Sequence, residues 1–290
     1  MESYRIFTDA TADLSDSLME QVPSVEMIPM PVEIGGSEYT YSPVGNISVK
    51  KFYELQRSGS FASTSQINPA VYFECFVPYL RQGKDIIYLC FSSGMSGTIQ
   101  SANLCMEELR QEFPERKIIC IDTLCASVGE GFLVREAARK QAEGLTLNEL
   151  ANWVMEHRLQ VCHWFTIDTL EHLRHGGRIS SAAAAMGTVL QIKPLLHVDE
   201  QGCLQVKEKP RGRKRAIAAQ LAKMEQGWNP ETGKLVLIGH GDNLEAAQQL
   251  SMKTAEQFSD AEIYISNIGP IIGAHTGPDM LALIYWGNNR

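Results

Sequence analysis

Asp85-Ile86-Ile87-Tyr88-Leu89-Cys90-Phe91-Ser92-Ser93-Gly94-Met95-Ser96-Gly97-Thr98 is the stretch on which the reading of this chain turns. Residues 85–91 are a short apolar run, the pattern of a strand buried on both faces of a parallel sheet. A helical pattern follows over residues 99–112. Small hydroxyl and glycine residues therefore stand where a strand hands over to a helix N-terminus. Backbone N–H groups and hydroxyls converge there with the helix dipole behind them, which suits an anion.

Working outward, the first half of the chain alternates strand and helix patterns. Strands are expected at residues 4–8, 85–91 and 117–122, and an extended segment at 25–34 that turns at Gly35-Gly36 into a hairpin with 39–41. Helices are expected over 15–21, from Ser48 to 57, from Asn68-Pro69 onward, over 129–143, and over 146–157 behind a Thr146/Glu149 capping box. This alternation implies an α/β domain with a parallel sheet. After about residue 160 the texture changes. Strand 162–167 leads to a short helix and the turn His175-Gly176-Gly177-Arg178; then come an antiparallel hairpin about Asp199-Glu200-Gln201-Gly202, helix 213–226, strand 234–239, helix 243–258, strand 262–267, a glycine-rich loop over 269–278 and a last strand 281–286. The expected organisation is an α/β domain over 1–160 and an α+β domain with a mixed or antiparallel sheet over 161–290, with a ligand between them.

Bulk properties narrow the function. The chain has 290 residues and a formal net charge of −8, which argues against a general nucleic-acid role. It lacks an apolar leader at its start and a run of transmembrane length. Seven cysteines are scattered without a C-x-x-C, so reduced thiols and a cytoplasmic location are expected. No P-loop, dinucleotide fingerprint or H-E-x-x-H occurs. His172 and His175 lack a supporting Cys or carboxylate cluster, so no metal is expected. Ser96 with His275 and either Asp122 or Asp242 would suit a serine esterase or acyltransferase, but the nucleophile elbow G-x-S-x-G is broken by Thr98. A second hydroxyl cluster, Ala62-Ser63-Thr64-Ser65-Gln66, precedes the Asn68-Pro69 helix start. Two such clusters at strand–helix junctions of one sheet would share a pocket at the C-terminal strand ends, with His275 as a third donor.

An ordered set of motifs carries a resemblance. Phe7-Thr8-Asp9-Ala10-Thr11-Ala12-Asp13-Leu14, Ser63-Thr64-Ser65-Gln66, Ser92 to Thr98, Asp122-Thr123, Gly176-Gly177-Arg178-Ile179-Ser180, Ile192-Lys193-Pro194 and Gly273-Ala274-His275-Thr276-Gly277-Pro278 follow one another. Together they resemble the DegV family of bacterial fatty-acid-binding proteins, over essentially the whole chain. Departures are Ala10 where the family usually has Ser, Ile67 where it has Pro, and Asp279 where Gly is frequent. The resemblance implies one long-chain fatty acid, such as palmitate or oleate, held between two domains. Its carboxylate would lie on Thr64 and Ser93, with a backbone amide near Gly94 or Met95 and with His275 beside it; Thr11, Ser65, Ser92 and Ser96 would support them. It implies no cofactor and no chemistry in this chain. A separate ATP-dependent fatty acid kinase subunit would make the acyl-phosphate for phospholipid synthesis, docking on Arg178 and Arg211. A lipid sensor without a kinase partner is the alternative within the family.

The energetics agree with such a ligand. A sixteen-carbon tail buries roughly fourteen methylenes at about 0.8 kcal/mol each, on the order of 11 kcal/mol. Charge-assisted hydrogen bonds add about 1.5–3 kcal/mol each, so the tail sets affinity and the polar cluster sets orientation. The small residues Ser181-Ala182-Ala183-Ala184-Ala185-Met186-Gly187 are expected to form an ordinary helix; the other reading is a surface beside which a tail passes. The basic run Lys207, Lys209, Arg211, Arg213, Lys214 and Arg215 lacks the aromatic platform of a nucleic-acid site and suits an acidic partner, the acyl-phosphate or an anionic membrane surface.

Overall fold

A computed structural model of the chain describes residues 3–22, 24–179 and 191–290. Ser180 and the small-residue run over 181–187 lie outside the described residues.

The decisive stretch folds as expected. β6 (Asp85–Cys90) is buried along nearly its whole length and ends one residue before the expected boundary. It lies in a four-stranded parallel sheet of order β2-β1-β6-β7, with β1 (Tyr4–Asp9), β2 (Val25–Ile28) and β7 (Ile118–Asp122). All four strands therefore end on one side. The extended segment after β2 breaks at Pro29 and continues as β3 (Met30–Ile34), which pairs antiparallel with β4 (Ser37–Tyr41). Gly35 and Gly36 make that turn with φ of +62° and +75°, the left-handed geometry a two-residue hairpin demands. β5 (Ala62–Thr64) pairs with the other edge of β3. The Thr64 cluster thus belongs to this separate three-stranded sheet, not to the parallel sheet, because register with Val32 to Ile34 places it there.

The remaining strands form a six-stranded mixed sheet of order β10-β9-β8-β13-β11-β12. They are β8 (Val161–Thr166), β9 (Leu195–Val198), β10 (Leu204–Glu208), β11 (Leu235–His240), β12 (Glu262–Asn267) and β13 (Leu281–Trp286). Only β11 and β12 are parallel.

Helices flank the sheets: α1 (Asp16–Met19), α2 (Val49–Arg57), α3 (Pro69–Arg81), α4 (Thr98–Glu112), α5 (Val128–Ala142), α6 (Leu147–His157), α7 (Glu171–His175), α8 (Arg213–Gly227), α9 (Leu244–Gln257) and α10 (Pro270–Thr276). Ser48 accepts from the Lys51 amide, Asn68 accepts from Ala70 ahead of Pro69, and the Thr146/Glu149 capping box is formed in both directions. α5 is buried almost all round, because it lies between the parallel sheet and the mixed sheet. One buried cluster runs from Ile6 and Ile87 through Phe132 and Leu133 to Leu237 and Ile284, so the two lobes share a core. The segment 269–278, expected as a loop, contains α10. Pro270 fits the first helical turn, and Gly277 at φ +74° ends the helix.

Candidate functional site

The C-terminal ends of β1, β6 and β7 open onto a cavity of about 320 Å³, within the range of about 300–1,000 Å³ typical of ligand sites. Its wall is apolar: Met30, Phe91 and Val128 on one side, Phe165, Ala282 and Ile284 of the mixed sheet on the other, with Ile271 and Ile272 of α10 along its length. Polar groups collect in two places.

The first lies at the end of β5 and α10. Thr64 Oγ1 sits 2.8 Å from His275 Nε2. Ser65, Gln66 and Ser96 line the same region. The His275 ring packs so tightly on Gly176 that a Cβ there would lie 2.1 Å from Nδ1. That Nδ1 is buried and has no hydrogen-bond partner among the described residues. Burial first, and then the charges of Arg178, His175 and His172, pull His275 down to about 4, so the ring is neutral at pH 7. A neutral ring with hydrogen on Nε2 donates to Thr64 Oγ1 and leaves the threonine O–H to donate into the cavity. Arg178 also lines the cavity. Its guanidinium donates to the carbonyls of Met95 (3.2 Å) and Gly176, and burial lowers its pKa. Among the described residues no carboxylate pairs with it. A half-buried cation with carbonyl partners and no counter-charge favours an anion beside it.

Thr11, Thr64, Ser65, Met95, Ser96, Arg178 and His275 thus line one cavity, whereas Ser92, Ser93 and Gly94 do not. Ser93 and Gly94 are exposed. The Ser93 amide donates to Asp122 Oδ1 at 3.1 Å, and the Gly94 amide donates to Ser92 Oγ. Ser92 is buried and donates to the Gly202 carbonyl at 2.8 Å. The physical reason is the tip of the β9–β10 hairpin, which packs onto this loop: a Cβ on Gly94 would meet Gly202 O at 2.6 Å, and one on Gly202 would meet Ser92 Oγ at 2.0 Å. Arg178, expected as an outer docking residue, stands at the cavity. Arg211 is exposed and forms an isolated bridge with Ile192. Arg213, one of the residues of the basic run, pairs with Asp168 and donates to Asp279 O.

A serine triad is not assembled. Ser96 Oγ lies 2.8 Å from Thr98 Oγ1, His275 Nε2 faces Thr64, and no acid meets His275 Nδ1 among the described residues. Asp122 accepts backbone amides and Asp242 pairs with Arg57. No group of three His, Cys, Asp or Glu able to hold a metal occurs among the described residues, and none of their helices is long and apolar enough to cross a membrane.

The second polar region contains Thr11, expected as a supporting residue of the head group, together with residues that the sequence reading did not name as site residues. Thr11, Ser127 and His163 line the cavity around the start of α5, with Asp9, Asp13 and Glu130 fully buried behind them. Thr11 Oγ1 contacts both Asp9 Oδ1 and, at 2.7 Å, Glu130 Oε2; Thr8 donates to Glu130 at 2.9 Å and Tyr88 to Asp9 at 2.7 Å. One threonine hydrogen cannot serve two carboxylates, so the Asp9–Glu130 pair retains a proton. Burial raises both acids, and their mutual repulsion adds to the shift on Glu130. Asp9 has the amides of Thr11 and Phe91 as further donors, which places the proton on Glu130. Asp13 is raised to about 8, mainly by burial, and accepts from Ser127 Oγ (2.6 Å) and the Gly269 amide (2.7 Å). The Asp9-x-Thr11-x-Asp13 spacing was the sequence signal. Glu130, Ser127 and His163 had none, because only packing brings α5 and β8 beside β1.

The same architecture recurs in known proteins. A DegV family protein of Thermus thermophilus described by its fatty acid binding superposes with a TM-score of 0.85 at 28% identity, over 98% of this chain and 99% of that one. A Bacillus subtilis fatty acid binding protein, DegV, gives 0.83 at 26% identity, over 99% and 100%. The Streptococcus pneumoniae Fatty Acid Kinase B3 protein, solved with linoleic acid, gives 0.87 at 20% identity over 99% and 100%, a likeness of fold. A DegV domain-containing protein of Clostridium perfringens is 37% identical over 290 residues, covering 100% of this chain and 99% of that protein. The family described as "Uncharacterised protein, DegV family" matches residues 3–288, and with this fold and these motifs in place the chain belongs to the DegV family.

Proposed function

We propose that this protein is a non-catalytic carrier of one long-chain fatty acid. The observation that carries the reading is a cavity with an apolar wall and, at one end, a neutral Thr64–His275 donor pair beside the Arg178 cation, which has no carboxylate partner among the described residues. Thr64 donates its hydroxyl hydrogen to the ligand carboxylate, Arg178 balances the charge, and the tail lies along Ile271, Ile272, Phe165 and Ile284. Ser93 and the Gly94 and Met95 amides join the head group when the hairpin tip lifts from the loop. The fatty-acid-binding relatives at 26–28% identity support this reading.

The hydroxyl-based head-group site suits a ligand presented for modification, and the cytoplasm is where ATP would supply the phosphoryl group. We extend the proposal to delivery of the acid to a separate kinase subunit, with Arg211 and the neighbouring exposed lysines as the docking surface and an anionic membrane as the source of the acid. Mass spectrometry of organic extracts from the purified chain, followed by titration of the stripped protein with palmitate and oleate, tests the carrier reading. Co-purified or added acid is expected to bind in about equimolar amount, more weakly in Thr64→Ala. No fatty acid and no binding would overturn it. Hydrolysis of an activated ester abolished in Ser96→Ala would favour the esterase instead. ATP-dependent acyl-phosphate formation with added kinase subunit, lost in Arg211→Ala, separates carrier from lipid sensor.

A further inference from the structure

The loop between β7 and α5 holds two residues in the left-handed region, Leu124 at φ +52° and Ser127 at φ +55°. A residue with a Cβ keeps that conformation only where its surroundings hold it there. Ala126, Ser127 and Val128, where this loop enters α5, line the cavity. Leu124 faces the β9–β10 hairpin: a Cβ on Gly202 would lie 3.1 Å from Leu124 Cδ2 and 3.3 Å from its Cα. Asp122 Oδ1 accepts the Leu124 amide at 3.0 Å and the Ser93 amide at 3.1 Å, so one carboxylate sets this strained loop and the Ser92–Gly94 loop together.

Arg290, just beyond β13, pins these pieces to one another. Its guanidinium carries five N–H groups, and each has an acceptor. Nη1 donates to the Leu124 carbonyl and, at 3.2 Å, to the Asp199 carbonyl. Nη2 donates to the Arg158 carbonyl at 2.8 Å and to Cys125 Sγ, and Nε donates to the Val161 carbonyl at 3.0 Å. Burial pushes the Cys125 thiol up to about 11, so it accepts as a neutral group. Nη2 and Nε thus fix the guanidinium to Cys125 and the segment entering β8, while Nη1 joins the strained Leu124 to Asp199, the first residue of the hairpin turn. From Asp199 the hairpin runs to its tip, where the Gly202 carbonyl accepts from Ser92 Oγ at 2.8 Å and Cys203 Sγ lies 3.5 Å from the Gly94 carbonyl. Arg290 itself does not line the cavity. Lysine, a point charge with three N–H groups, does not span the same set of acceptors.

We propose that Arg290 is a positioning residue for ligand exchange: its guanidinium clasps the β9–β10 hairpin to the loop after β7, and release of the clasp lets the hairpin tip lift from Ser92 and Gly94 while an acid enters or leaves. The proposal rests on the fatty-acid reading of the cavity. The clasp is the same in the free protein and around a seated acid, so weakening it speeds entry and exit alike and leaves affinity nearly unchanged.

The test is stopped-flow binding of cis-parinaric acid, a fluorescent long-chain acid, to the stripped full-length protein and to Arg290→Lys, with an equilibrium titration of each. In the variant the association and dissociation rates are both expected to rise about tenfold, the value of about one hydrogen bond, with Kd held within about twofold. Hydrogen exchange at the Ser92 to Met95 and Gly202 amides should quicken, and that of β6 should not. If Arg290→Lys fails to fold, Arg290→Gln is read in the same way. Unchanged rates overturn the clasp. So does faster dissociation alone, with Kd weakened in proportion, which is what a general loosening of the fold gives. Absence of probe binding by the wild type overturns the carrier reading itself.

Discussion

Asp279 shows how one residue combines strain with attachment. It adopts φ +64°, a left-handed conformation that costs a non-glycine residue about 1–2 kcal/mol. Its carboxylate takes Arg57 Nη1 at 3.0 Å and Asn243 Nδ2 at 2.6 Å, which lowers its pKa and ties α2 and the start of α9 to the segment just after α10. Asp279→Ala keeps the strain and loses the partners. A loss of about 1–2 kcal/mol in urea unfolding is expected, and Asp279→Gly should recover about 1 kcal/mol of it. Asp13 gives a pH signature. Its folded pKa of about 8 stands above the ordinary value of 3.8, so between those values the folded chain holds a proton that the unfolded chain releases. Stability from this group is full below about pH 4 and is lost as pH rises to about 8. Asp13→Asn, which tolerates the residue's φ of +48°, is expected to flatten the fall in unfolding midpoint between those pH values. His275, depressed to about 4, acts oppositely and costs stability as pH falls below about 6.5.

Among elements, the contact between the β9–β10 hairpin and the loop after β6 decides what the loop presents. Backbone meets backbone there, so no rotamer change can admit a methyl group at Gly94. Gly94→Ala is expected to push the hairpin off the loop, with a cost of about 1–3 kcal/mol. Faster hydrogen exchange at the Ser92 to Met95 amides and faster release of a bound acid should accompany it. An unchanged exchange pattern would show that the hairpin does not lock the loop. α5 is the other deciding element. Its sequence carries no amphipathic stripe because it is covered on nearly all sides, and its start brings Ser127 and Val128 to the cavity with Glu130 buried behind them.

For the whole molecule, the cavity lies between the strand ends of one lobe and the face of the mixed sheet of the other, so a bound acid bridges them. A ligand that binds only the folded state stabilises it by about 4 kcal/mol at a thousandfold excess over Kd. Stripping the protein of lipid is expected to lower Tm by several degrees, with recovery on adding a long-chain acid; an unchanged Tm would count against the cavity as the binding site.

Periodicity and punctuation in the sequence determined most elements: the buried run of β6, the Gly35-Gly36 hairpin, the caps of α2, α3 and α6, and the change of texture near residue 160 were legible because each depends on local sterics and hydrogen bonding. The ordered motifs identified the family. Tertiary structure alone decided that Thr64 belongs to a separate sheet, that His275 sits on a helix, that Ser93 turns away from the cavity while Arg178 turns toward it, and that Asp9, Asp13 and Glu130 meet behind Thr11 and Ser127. These depend on which surfaces distant segments bury against one another, and no local spacing of residues encodes that.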